Sequence, residues 1–309
     1  MLFVYILIIM NLINQLVTSR WDLAFIRENM DEIVNGNRLH FVPVKNPFRS
    51  QYMMFADPFV LDVTDSCIFL LVETMRVGKP KGCIAKLTID KTTMSIIDVC
   101  VILEEPWHLS FPNIMRKDDR IFVYPESASS GHLYLYELVK DGQGKECLKQ
   151  VDTLCDDIIW DTDINNLFGR SMLFTARQNN HFLDIYQLND SEERYEYVTS
   201  LHSSRENMRL AGALFPLKDK IYIPTQVSGY RYGEAVEIQE ISNNNPWFIN
   251  PIRHIKPPRW MYVDGMHTLN SYKGVTVVDL HVQNNLLSWL ISKLVILKKK
   301  VRKFIKSKK

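Results

Sequence analysis

The sequence predicts an all-β protein, a five-bladed β-propeller carrying a C-terminal amphipathic basic helix. Three observations predict it: a strand motif repeated five times, a second strand motif at a near-constant distance before each copy, and helical apolar spacing confined to the chain's ends.

The repeated motif is a hexapeptide. IFLLVE, IFVYPE, MLFTAR, IYIPTQ and GVTVVD end at Glu73, Glu126, Arg177, Gln226 and Asp279, separated by 53, 51, 49 and 53 positions. Each is a β-branched or aromatic run ending in a polar residue, and turn-like stretches such as RKDDR and LKDK precede them. Self-similarity at roughly 50 residues is the signature of propeller blades.

Between 13 and 16 residues before each hexapeptide end lies a strand with a small or polar centre, around Asp57, Asn113, Asp163, Ala213 and Met266. A third strand follows the first four hexapeptides (CIAKLTID, HLYLYELV, FLDIYQL, EAVEIQEI), and the turns leave room for a fourth. Innermost strands of a propeller line its channel, so the polar residues of strands one and two are expected to face one axial pocket. WDLAFIR, from Trp21, has no blade of its own and is assigned to complete the last blade, leaving no edge unpaired.

Length and composition fit this reading. A chain of 309 residues with 46% hydrophobic content buries a large core. The net charge of +2 divides unevenly: Lys293–Lys309 carries nine Lys or Arg and no acid, leaving the remainder at −7, nine below the total. An acidic body is not expected to bind nucleic acid. The five cysteines are odd in number and contain no CxxC pair, which argues against a disulfide framework and a zinc site and fits a reducing compartment.

Three segments follow: an apolar N-terminal segment (1–20), the propeller (21–284) and a basic amphipathic tail (285–309). The run Leu2–Met10 has no Lys or Arg before it, and Asn11, Asn14 and Gln15 interrupt its continuation. It reads as a buried terminal element, with a cleaved signal or membrane anchor as the alternative. In the tail, Leu286, Leu287, Leu290, Ile291, Leu294 and Leu297 recur at helical spacing before KKKVRKFIKSKK. This pattern suits an anionic membrane surface, the alternatives being a solubilising tail or a helix docked on the propeller. The expected location is cytoplasmic and peripheral at the inner membrane face, or secreted or anchored through residues 1–20.

FADPF, KGCIA, HLSFPNIM, YPESASSGHLYLYE, DTDINNLFGRSMLFTA and GMHTLN, in this order within a stretch from about Trp21 to His281, resemble the propeller found as the N-terminal domain of plant glucosamine inositolphosphorylceramide transferase and as separate bacterial proteins. That domain is itself similar to the five-bladed propellers of glycoside hydrolase family 43. The resemblance implies a carbohydrate-related role without deciding between cleavage, transfer and binding.

Glycosidic chemistry needs a carboxylic acid on the leaving oxygen and a carboxylate opposite. By the resemblance, Asp57 of ADPF matches the base and Glu126 of PES the acid, with Glu73 a second acid candidate. Asn113 of FPNI departs from the expected Asp, since an amide supplies no charge to tune a neighbour. Asp161 and Asp163 are candidates for the missing charge. The alternative for Asp57 is a strand entry before Pro58, and for Glu126 a buried ion pair with Arg177.

Expected substrate contacts are His108, Asn113, Asp161, Asp163, Arg177, Gln226, His267 and Asp279, with Trp107 and Tyr124 as stacking faces or packing between blades. No cofactor is expected: no dinucleotide fingerprint is recognisable, and the DTD at Asp161 to Asp163 matches a metal-binding DxD only in its letters. The functions weighed are sugar transfer in surface polysaccharide or glycolipid biosynthesis, glycoside hydrolysis by an Asp/Glu pair, and non-catalytic glycan binding. The partners are a glycan or activated sugar and the membrane surface.

Overall fold

The computed structural model describes residues 18–167, 169–177, 182–201, 208–242 and 248–307. Most of the apolar N-terminal segment, residues 1–17, and the last two residues of the tail lie outside the described residues.

Five antiparallel sheets follow one another along the chain as the blades of a propeller. Blade one comprises Tyr52–Val63, Cys67–Arg76, Lys79–Asp90 and Ser95–Leu103; blade two, Ser110–Lys117, Arg120–Glu126, Leu133–Lys140 and Glu146–Cys155. Blade three comprises Ile159–Leu167, Arg170–Arg177, Leu183–Asn189 and Arg194–Leu201; blade four, Phe215–Leu217, Lys220–Val227, Ala235–Ser242 and Phe248–Ile255. Blade five joins both ends of the chain: Val263–Gly265 and Leu269–Tyr272 pair with Val275–Gln283, which pairs with Ser19–Ile26 and then Phe41–Pro43. Trp21 lies opposite His281, so the N-terminal strand closes the ring.

The apolar hexapeptides read as continuous runs because both faces of each second strand are buried. Alternation sends successive residues into different cores. Leu70 packs between blades five and one and Leu71 between one and two; Val123 packs between one and two and Tyr124 between two and three. Leu173 and Phe174 divide likewise, as do Tyr222 and Ile223, and Val277 and Val278. Five apolar clusters result, one in each seam.

Polar groups fasten four of the seams around the axis. Asn270 Nδ2 donates to Pro58 O (2.9 Å) and its Oδ1 accepts from Ala213 N (2.9 Å). Asn113 Nδ2 donates to Thr162 O (3.0 Å) and to Asp163 Oδ1 (2.7 Å), whose Oδ2 accepts from Leu214 N (3.1 Å). Blade four's first strand is cut to three residues because the chain at Gly212 runs against blade five: a Cβ there would lie 2.1 Å from Leu269 O. No side chain larger than hydrogen fits.

A short helix, Met30–Val34, is capped reciprocally by Asn29 and Glu32 and buries Ile33 in the seam between blades four and five. The C-terminal helix, Leu286–Ser307, starts where Asn285 Oδ1 accepts from Ser288 N (2.8 Å). Among the described residues, no helix is long and apolar enough to cross a membrane. All five cysteines are free thiols.

Candidate functional site at the propeller axis

The site is built by a kink repeated in three blades. Asp57, Phe111 and Asp161 have φ of 48°, 44° and 46°, and each sits in a register shift within its blade's first strand. A left-handed residue inside a strand is strained by about 1–3 kcal/mol and re-aims its side chain. The position in blade two equivalent to Asp57 is therefore Phe111, whereas Asn113 and Asp163 stand two residues further on, in the seams.

Each kink is held by a carboxylate. Asp57 N donates to Asp279 Oδ2 (3.1 Å), Phe111 N to Asp57 Oδ2 (3.1 Å), and Asp161 N to Glu126 Oε2 (3.2 Å). Strand-two ends Glu126 and Asp279 thus secure the first strand of the following blade.

Two charge clusters and one rim pair result. In the first cluster, His267 lies between two carboxylates, Nε2 3.2 Å from Asp57 Oδ1 and Nδ1 2.7 Å from Asp279 Oδ2. Burial works against its charge, but Asp279 and Asp57 prevail and raise its pKa to about 10, so the ring is an imidazolium. Burial likewise opposes the Asp279 charge, and His267 with its backbone holds that carboxyl below its ordinary value. The Trp21 ring covers His267 at 4.0 Å, and Gly233 lies so close that a Cβ would come within 2.6 Å of Trp21.

In the second cluster, Arg209 donates from Nε to Asp161 Oδ2 (2.5 Å) and from Nη2 to Asp161 Oδ1 (3.0 Å) and Glu126 Oε2 (3.1 Å). Gln226 Nε2 adds a bond to Asp161 Oδ2 (3.0 Å). Burial and the Asp161 charge push the Glu126 carboxyl well above the usual range despite Arg209, with Asp57 adding to the effect. The guanidinium lies 5.3 Å from the Trp160 ring and 5.8 Å from that of Tyr232.

At the rim, His108 Nε2 lies 3.1 Å from Glu73 Oε1, and its Nδ1 accepts from Gly82 N (3.0 Å). Burial raises Glu73 to about 7. Glu73 in turn raises the pKa of His108, whereas the Gly82 bond requires a lone pair on Nδ1 and so the neutral ring. The geometry favours one proton held on Nε2 against an ionised Glu73.

Of the residues anticipated from sequence, Asp57, Glu73, Glu126, Asp161, Gln226, His267 and Asp279 meet at the axis, with His108 at its rim. Asn113 and Asp163 are 1% and 2% exposed and bind each other in the seam, where burial raises Asp163 to about 6. Arg177 does not reach Glu126; it pairs within blade three with Asp184 and lies 4.6 Å from the Tyr197 ring. Tyr124, 1% exposed, uses its hydroxyl on Ile164 N and offers no stacking face. Trp107 stacks on Tyr134 in the seam between blades one and two.

Arg209, Tyr232, Trp21 and Trp160 were not anticipated. Arg209 carried a signal, since it is the partner across the strand from Gln226, where blades one and two have Ala56 and Ser110. Asp57, His267 and Asp279 place potential metal-ligand atoms within 4.8 Å of one another, but both nitrogens of a protonated His267 already face carboxylates. The triad's donor set suits a proton better than a metal.

Comparison with known proteins follows the same lines. A family described as "Glucosamine inositolphosphorylceramide transferase 1, N-terminal" matches residues 43–296. Glucosamine inositolphosphorylceramide transferase 1 of Oryza sativa subsp. japonica is 27% identical over 212 residues, covering 64% of this chain and 27% of that protein. The subsp. indica protein is 26% identical over 215 residues with the same coverage. The chain thus spans about a quarter of the length of the curated relatives it matches.

Among solved structures, the GH43_1 enzyme from Xanthomonas citri aligns with a TM-score of 0.51 at 10% identity, over 75% of this chain and 87% of that one. The RS223 β-xylosidase aligns at 0.50 and 10% identity, over 77% and 94%. These two share the fold.

Proposed function

This chain belongs to the family of the N-terminal region of glucosamine inositolphosphorylceramide transferase 1, and from that premise we propose that its axial pocket seats a sugar and takes part in sugar transfer during surface polysaccharide or glycolipid biosynthesis. The observation that carries this reading is the charge inventory of the axis. Asp161 is matched by Arg209, Asp57 and Asp279 share the imidazolium of His267, and Glu73 faces the Nε2 of a neutral His108. Glu126 is left as the carboxyl that burial and Asp161 keep protonated.

A protonated Glu126, near enough to Asp57 for its charge to act on it, and the Asp57 carboxylate supply the two groups glycosyl chemistry needs. Glu126 gives its proton to the leaving oxygen as the bond to the anomeric carbon breaks. Asp57 takes the proton of the incoming hydroxyl as the new carbon–oxygen bond forms; each of its oxygens keeps a second lone pair beyond the bond it already accepts. Tyr232, 49% exposed, and the partly exposed Trp160 offer ring faces to a pyranose beside Arg209.

The same pair also supports a hydrolytic reading, with water in place of the acceptor hydroxyl. Saturation-transfer NMR against nucleotide-activated sugars and nitrophenyl glycosides tests the common premise. Binding that Tyr232→Ala weakens supports it; no binding across the panel, or binding that Tyr232→Ala leaves unchanged, counts against it. Product analysis with and without added acceptor alcohol then separates transfer from hydrolysis.

A further inference from the structure

The C-terminal helix is docked by the wrong face for a helix whose apolar residues serve the core. Ser288 is fully buried and its Oγ accepts from Thr18 N (3.0 Å), Ser292 Oγ donates to Asp264 Oδ2 (2.6 Å), and Trp289 meets Tyr262 edge to face. On the other side, Leu286, Leu290, Leu294, Leu297, Val301 and Ile305 are between 46% and 64% exposed. Their spacing of three and four residues makes one continuous stripe. An apolar stripe of this length held away from the protein marks an interaction surface.

A cavity of about 590 Å³ runs along one flank of the helix, between it and blades four and five, and Leu297 belongs to both the stripe and the cavity wall. Lys256, Arg259, Lys293 and Lys300 line it beside Trp260 and Trp289. Among the described residues, no carboxylate lies within ion-pair distance of these four cations. The two acids in the wall are already engaged: Asp264 by Arg231 (2.5 Å) and His281 (2.8 Å), and Glu234 by Tyr230 N (3.0 Å).

We propose that this face is a docking surface for an anionic phospholipid leaflet, with the leucine stripe lying in the acyl boundary and the cationic cavity receiving headgroup phosphates. Charge selects this occupant: the tail carries nine Lys or Arg and no acid, against a body of −7 that a leaflet of the same sign would repel elsewhere. An in-plane helix with one apolar and one basic flank is the geometry of interfacial binding. The inference does not depend on the axial chemistry.

Flotation of the full chain with phosphatidylcholine vesicles containing one-third phosphatidylglycerol tests it, using Leu290→Ser/Leu294→Ser and Lys256→Glu/Arg259→Glu variants whose melting temperatures match wild type. The expected result is wild-type binding at least tenfold stronger than to phosphatidylcholine alone, lost by at least tenfold in each variant and retained in excess glycerol 3-phosphate. Equal binding to neutral vesicles, unchanged binding by either variant, or absence of binding overturns the proposal. So does competition by glycerol 3-phosphate, which would assign the cavity to a soluble phosphoester, or a wild-type dimer that the leucine variant dissociates, which would assign the stripe to a second copy.

Discussion

Arg209 grips Asp161 through two donors, Nε at 2.5 Å and Nη2 at 3.0 Å, and the same Nη2 reaches Glu126 at 3.1 Å. One cation thereby holds two neighbouring carboxyls, and burial with the Asp161 charge keeps the Glu126 carboxyl well above its ordinary range despite that cation. Removing the guanidinium leaves Asp161 as a buried, uncompensated charge. Arg209→Met should lower unfolding free energy by about 3–5 kcal/mol, and adding Asp161→Asn should restore much of it. Urea titration of the two single variants and the double variant measures this; simple additivity would show that the pair is not coupled.

The His267 pair predicts a pH dependence with a definite sign. Its folded pKa of about 10 lies above the ordinary histidine value. Its stabilisation is therefore full below about pH 6.5, diminishes above that, and is gone beyond about pH 10. The stability difference between wild type and His267→Gln should shrink across this window. A difference that stays constant from pH 6 to pH 10 would contradict the imidazolium assignment.

Glu73 and His108 should titrate as a coupled pair. With Glu73 at about 7 and its charge raising His108, Glu73→Gln should shift the midpoint of His108 downward. Histidine ring resonances followed across neutral pH measure it, and an unmoved midpoint would remove the pairing.

Asn113 separates structure from function. Its amide donates to Thr162 O and Asp163 and its carbonyl accepts from Ile114 N, all within the seam. Asn113→Ala should cost about 1–3 kcal/mol of stability and leave sugar binding unchanged. A large loss of affinity at unchanged stability would return Asn113 to the pocket.

The blades were legible because burial on both faces of the second strands writes a continuous apolar run, and the polar ends of four of those runs, Glu73, Glu126, Gln226 and Asp279, mark the axis, whereas Arg177 turns to Asp184. Closure through Trp21 was legible from its lack of a blade. The register around the kinks was not: ADPF and FPNI look aligned through Asp57 and Asn113, whereas left-handed φ values align Asp57 with Phe111. Arg209 escaped because blade four's first strand breaks at Gly212, so no strand pattern surrounds it. Tyr232 and Trp21 reach the site from a loop and from the closing strand, outside the repeated strand motifs, and stand beside Arg209 and His267.

The central claim is that the axis is a reaction site in which Glu126 gives up a proton. Turnover by Glu126→Gln of a panel sugar that binds the wild type tests it most directly, since the amide keeps the shape and removes the proton. Folding and sugar affinity should be retained, and turnover should fall by about 10²–10⁴-fold. Wild-type turnover by the Gln variant would contradict the account.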